Sequence, residues 1–152
     1  MNSVQLENLL LLDEEISKSY IGIYPIDKMP GLKNVDNFMV VNLDPSFKPG
    51  SHWVVLYKRN NKFVEYFDST GSKPNNKIVE YLFSQNNTCI YSYKRLQDFN
   101  SNTCGLFCLF YCYYACRSCN LESIVTCFSD NLKLNEAIVK RSTRLYLTSN
   151  YM

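Results

Sequence analysis

The leucine and acid pattern from Val4 to Glu15 predicts an N-terminal helix, and a turn-rich passage follows it. That passage, Tyr20-Ile21-Gly22-Ile23-Tyr24-Pro25 and then Met29-Pro30-Gly31, is punctuated by glycine and proline. Phe38–Leu43 is a short β-type run, and the Pro/Gly-bearing stretch Asp44–Ser51 reads as a loop. Two apolar runs, Trp53–Lys58 and Lys62–Phe67, are joined by the polar Arg59-Asn60-Asn61, which predicts an antiparallel hairpin. Gly71–Pro74 breaks the chain. Ile78, Val79, Leu82 and Phe83 then give helical spacing over Asn75–Ser84, and Cys89–Tyr93 reads as a further strand. Polar Gln97–Thr103 is a loop leading into an apolar helix from Cys104 to about Arg117, with helices over Leu121–Phe128 and Lys133–Leu147 beyond. Strands in the middle and helices at both ends predict an α+β fold.

Composition narrows the chemistry. A chain of 152 residues, 46% hydrophobic and 20% charged, fits one globular domain over residues 1–152. The net charge of +2 does not announce a nucleic-acid binder. The apolar stretch Leu106–Cys116 is too short for a membrane span. Leu9–Leu12 lacks a basic flank and is followed by acids, which argues against a secretory signal. There is one histidine, His52, so two-histidine metal motifs are impossible and any histidine base must be this residue. Of seven cysteines, Cys104, Cys108, Cys112 and Cys116 recur every fourth residue, a poor arrangement for mutual disulfides. Free thiols in a reducing compartment follow.

Four residues are placed for chemistry. His52 directly precedes one hairpin strand and Asp68 directly follows the other, which puts them at one end of adjacent strands. A carboxylate there accepts the imidazole N–H and orients the ring as a base. The competing reading is an edge histidine beside a turn-forming aspartate. Cys104 opens the apolar helix, where the dipole and unpaired N–H groups favour a thiolate, and Gly105 after it permits close approach of the backbone. Gln97, seven residues earlier, is a candidate oxyanion donor alongside the Cys104 N–H. Cys108, Cys112 and Cys116 read as small core hydrophobes. The metal alternative, a thiolate zinc site from Cys112, Cys116, Cys119 and Cys127, lacks the paired C-x2-C knuckle. No glycine-rich phosphate loop is present.

The order His52-Trp53, Asp68, Gln97, Cys104-Gly105 resembles the adenovirus-type cysteine proteases (adenain), a clan shared with the SUMO-deconjugating proteases. Tyr20–Tyr24 with Met29-Pro30-Gly31, Val41-Asn42, Gly50-Ser51-His52-Trp53 and the run Gln97–Cys108 carry the likeness, which covers residues 18–118. It departs at Asp68, where mammalian adenoviral enzymes often have Glu, and in a shorter chain beyond the Cys104 helix. Such compact relatives are encoded by adintoviruses, virophages and Maverick/Polinton elements.

The resemblance implies a papain-like/adenain-like α+β fold, a central mixed sheet with the nucleophile at the N-terminus of a buried helix. It implies Cys104 as nucleophile, His52 as base, Asp68 orienting His52, and Gln97 in the oxyanion hole. It further implies a monomeric thiol endoprotease, in the virion and host cytoplasm or nucleus, cleaving viral precursor polypeptides at small glycine-containing sites. No cofactor is needed for the chemistry and no metal is expected. An activating capsid-derived peptide joined by a disulfide, and DNA, are the partners it suggests; Cys89 resembles the attachment position, with an ordinary strand cysteine as the competing reading, and Lys133, Lys140, Arg141 and Arg144 read either as a basic stripe or as a solvated face. The alternatives are a protease for SUMO- or ubiquitin-like modifiers and a non-catalytic binding module with a decayed site.

Overall fold

A five-stranded mixed sheet in the order β1-β2-β3-β4-β5 divides the molecule into two apolar layers, as seen in a computed structural model that describes residues 1–151. The strands are β1 (Tyr20–Pro25), β2 (Phe38–Asn42), β3 (Trp53–Lys58), β4 (Phe63–Phe67) and β5 (Thr88–Tyr91). The three central strands pair antiparallel, and each edge strand joins them in parallel. Strands β2 and β3 are apolar almost throughout because both of their faces are covered.

Alternation along the strands sorts the core. Phe38, Val40, Val55, Tyr57 and Phe67 face a layer built on α4 (Cys104–Ala115), with α1 (Ser3–Leu10), α2 (Glu14–Ser19), α5 (Leu121–Val125) and α6 (Leu132–Tyr151) around it. Met39, Val41, Val54, Leu56, Val64 and Tyr66 face the opposite layer, closed by Ile78 and Leu82 of α3 (Asn76–Ser84) with Ile26 and Leu32. Helix α4 runs through the first layer with nine of its twelve residues buried, which is why its sequence is apolar on every side. Left-handed Ser118, at φ 68°, follows the turn that ends it.

Four expectations need correction. The N-terminal helix over Val4–Glu15 is two helices, broken at Leu11–Asp13. Asp13 accepts from the Ile16 N–H at 2.9 Å to cap α2, and its carboxylate pairs with Arg117 at 2.7 Å. Tyr20–Pro25 is a strand rather than a turn-rich connection. All six of its residues are half-buried and its register slips between Tyr20 and Ile23, so it shows no alternation; Pro25 is tolerated because the strand lies on the sheet edge. The helix expected over Leu121–Phe128 stops at Val125, and the last helix runs from Leu132 to Tyr151 instead of Lys133–Leu147. The β3–β4 hairpin and the α3 helix lie where the pattern put them. Among the described residues no helix is long and apolar enough to cross a membrane.

Candidate active site

The hairpin supplies the first two groups. Val55 pairs with Phe67 and Leu56 with Tyr66, so His52, just before β3, and Asp68, just after β4, leave the sheet at the same end. His52 Nε2 lies 2.8 Å from Asp68 Oδ1. The buried carboxylate is held from other sides as well. The Thr70 N–H and hydroxyl donate to Oδ1 at 2.8 and 2.7 Å, and the Tyr66 hydroxyl donates to Oδ2 at 3.4 Å. With Nε2 engaged, the ring's other nitrogen, Nδ1, is left for the cleft that His52 and Cys104 line together.

Cys104 is the first residue of α4, and the body of that helix is fixed in the core. Its environment reverses the usual preference of a buried thiol. Burial alone raises its pKa, but the hydrogen bond from His52, the Trp53 and Gly105 backbones and the charge on His52 bring it below the ordinary thiol value. For His52, burial opposes the charged ring, yet hydrogen bonds to Asp68 and Cys104 outweigh it and lift the pKa to about 9. Asp68 is likewise opposed by burial and held below the carboxylate range by His52 and Thr70. These shifts favour a Cys104 thiolate, a His52 imidazolium and an Asp68 carboxylate. The other core cysteines differ: burial pushes Cys108 and Cys112 well above the ordinary value and Cys116 to about 11.

Gln97 borders the same cleft, which encloses about 490 Å³ and is also lined by His52, Trp53 and Cys104. Its side chain is buried and fixed at both ends. Ser69 donates its hydroxyl to Gln97 Oε1 at 2.6 Å, and Gln97 Nε2 donates to the Ser101 carbonyl at 2.9 Å. The amide nitrogen carries two hydrogens, so one remains for an oxyanion. The structure thus brings His52, Asp68, Gln97 and Cys104 to one cleft.

Two glycines close its walls. Gly50 has φ 91°, and a Cβ there would come within 2.1 Å of Asn42 Nδ2, so the loop before His52 accepts no side chain. A Cβ on Gly105 would meet Met1 Sδ at 3.0 Å and the Trp53 ring at 3.2 Å. The expectation that Gly105 serves the approach of substrate is therefore modified: the space it leaves is filled by the Trp53 indole and Met1.

Cys89 stands apart from this group. It lies half-buried on edge strand β5, paired with Val64, and burial pushes its thiol up to about 11. Cys112, Cys116, Cys119 and Cys127 are not gathered: among the described residues no group of three or more metal-ligating side chains is placed to hold an ion.

Sequence reasoning missed Ser69, Asn135 and Glu136. Asn135 Nδ2 donates to the Leu96 carbonyl at 3.2 Å, and the Glu136 carboxylate accepts from the Asp98 N–H and from the hydroxyls of Ser101 and Thr103. The available signal was that both are polar residues on the inward stripe of α6, in line with Val139 and Tyr146.

Known structures share this arrangement of strands and helices. The ASFV pS273R protease superposes with a TM-score of 0.57 at 16% identity, over 89% of this chain and 66% of that one. The SUMO protease Ulp1 superposes with a TM-score of 0.51 at 16% identity, over 100% of this chain and 79% of that one. The fold is the one these two proteases share. The central domain of the uncharacterized Lpg1148 protein from Legionella pneumophila also matches, with a TM-score of 0.60 at 15% identity and 99% coverage of each chain. At these identities the likeness is one of fold, and the chain spans just under two thirds of the ASFV protease. No protein-family model and no curated protein sequence matches the chain.

Proposed function

We propose that this protein is a cysteine endopeptidase that cleaves viral precursor polypeptides at small, glycine-containing sites. The observation that carries the reading is the line from Asp68 through His52 to Cys104, with a 2.8 Å carboxylate–imidazole contact and the thiol at the start of a buried helix. In this reading the Cys104 thiolate attacks the scissile carbonyl carbon. The His52 imidazolium gives its proton to the departing amine, and the neutral ring then takes a proton from the water that hydrolyses the thioester. Gln97 Nε2 and the Cys104 N–H donate to the oxyanion of each tetrahedral intermediate. Asp68 holds the ring orientation throughout.

The viral setting is supported by the sequence resemblance to adenain-type enzymes and by the fold shared with the ASFV protease. A second reading is removal of SUMO- or ubiquitin-like modifiers, which is favoured by the fold match to the SUMO protease Ulp1 over the whole of this chain. Incubating the protein with precursor polypeptides and, separately, with modifier conjugates decides between them. The expected result is new C-termini at glycine in the precursors, read by mass spectrometry and absent with Cys104→Ala. Cleavage confined to the conjugates would select the second reading, and cleavage of neither would overturn both.

An activating peptide at the β5 edge, attached through Cys89, and DNA on the exposed Lys133, Lys140, Arg141 and Arg144 of α6 belong to the same proposal.

A further inference from the structure

Thr103 occupies the N-cap position of α4 yet makes no capping bond with its side chain. A threonine there ordinarily accepts from an N–H of the first turn. Its hydroxyl instead donates to Glu136 Oε2 at 2.6 Å. Glu136 Oε1 accepts from the Ser101 hydroxyl at 2.5 Å and from the Asp98 N–H at 3.0 Å. One buried carboxylate on α6 therefore holds three points of the segment between Gln97 and Cys104. Its neighbour Asn135, fully buried, donates to the carbonyls of Leu96 and Ser129 and so fixes the residue before Gln97.

We propose that Glu136 is a positioning residue, which sets the Gln97–Thr103 loop at the height needed to stabilise an oxyanion and draws the Thr103 hydroxyl away from the N–H groups at the start of α4. Two consequences of the geometry support it. The Ser101 carbonyl, which accepts from Gln97 Nε2 at 2.9 Å, belongs to the residue that Glu136 grips through its hydroxyl, so the Gln97 amide inherits its aim from Glu136. The first N–H groups of a helix have no partner within it, and a Thr103 hydroxyl turned inward would compete for them with thiolate and oxyanion. Three donors meet the carboxylate charge, which makes its burial affordable and its removal local in effect.

This inference deepens the protease reading and rests on it, so the test has one arm that needs no activity. Glu136→Ala and Glu136→Gln are made in the full chain, and hydrogen exchange over residues 97–105 is measured beside steady-state peptide cleavage. Glu136→Ala is expected to exchange faster across that segment while the sheet is unchanged. It should lose about 10²-fold in kcat with KM within about threefold, the scale of a small misplacement of reacting groups. Glu136→Gln keeps an acceptor oxygen and is expected to recover most of both. Ser101→Ala, which removes a donor to Glu136 at the residue whose carbonyl aims Gln97 and leaves the carboxylate, serves if Glu136→Ala does not fold; it is expected to lower kcat in the same direction. A folded Glu136→Ala or Ser101→Ala with parental kcat overturns the proposal, whatever its exchange. So does Glu136→Gln falling as far as Glu136→Ala in both readouts. If the parent itself cleaves nothing, the protease reading falls, and parental exchange in Glu136→Ala then overturns the bracing role on its own.

Discussion

The Ser69 hydroxyl donates to Gln97 Oε1 at 2.6 Å, and the Ser69 carbonyl accepts from the Leu96 and Gln97 N–H groups at 2.9 Å each. One buried residue thus fixes both the backbone and the side chain of the oxyanion candidate. Ser69→Ala is expected to lower kcat roughly fivefold with little change in KM, since one hydrogen bond is worth about 1 kcal/mol and 1.4 kcal/mol is tenfold in rate. Gln97→Ala is expected to lose about 10²–10³-fold by the same assay. Parental turnover in Gln97→Ala would remove it from the oxyanion hole.

The charge arrangement around His52 predicts the pH profile. Activity should rise as pH climbs through the lowered pKa of Cys104 and fall as His52 loses its proton near pH 9. Asp68→Ala removes the hydrogen bond and charge that raise His52, so the alkaline limb should move to lower pH. Because the folded pKa of His52 lies above its ordinary 6.5, its contribution to stability is complete below pH 6.5 and is lost as pH rises through 9. Urea unfolding of parent and Asp68→Ala between pH 6 and 10 checks the sign. An alkaline limb unmoved in Asp68→Ala would contradict the coupling.

Cys104 and Cys108 lie on one helix with opposite environments. Cys104→Ala is expected to abolish cleavage while keeping the fold. Cys108 is buried and donates its S–H to the Trp53 carbonyl at 3.5 Å, so Cys108→Ala should keep turnover and lose about 1 kcal/mol of stability. Equal inactivation of two folded variants would remove Cys104 from its role.

Half-buried Cys89 yields the last prediction. A thiol pushed up to about 11 reacts slowly with iodoacetamide at neutral pH, and its labelling in the Cys104→Ala background should rise about tenfold per pH unit below that value. A thiol-bearing peptide is expected to raise kcat in the parent and not in Cys89→Ser. Equal responses in the two proteins would end the disulfide mode of activation.

What the sequence revealed follows from how locally each feature is specified. His52 and Asp68 are sixteen residues apart across one short hairpin, so register alone brings them together. Cys104 advertised itself by opening a helix apolar on all sides. Ser69 and Glu136 were hidden because their partners lie 28 and 33 to 38 residues away, and no periodicity records such a meeting. Strand β1 was hidden for a different reason: Gly22 and Pro25 punctuate its tyrosines and isoleucines like a turn, and uniform half-burial on a bulged edge leaves no alternation to set against them. The break between α1 and α2 was masked by leucines that continue the pattern across it, and only the capping bond of Asp13 sets it.

The grip of α6 on the loop before Cys104 bears on the order of events during synthesis. The hairpin carrying His52 and Asp68 is complete once residue 68 has been made, and the nucleophile follows at 104, but the carboxylate that tethers their shared loop arrives only at 136. Chains emerge N-terminus first, so a nascent chain stopped between these points holds all four cleft residues without their brace. On the bracing proposed for Glu136, cleavage competence waits for the last helix to dock, so a chain halted before residue 136 would carry the four cleft residues in an unset loop.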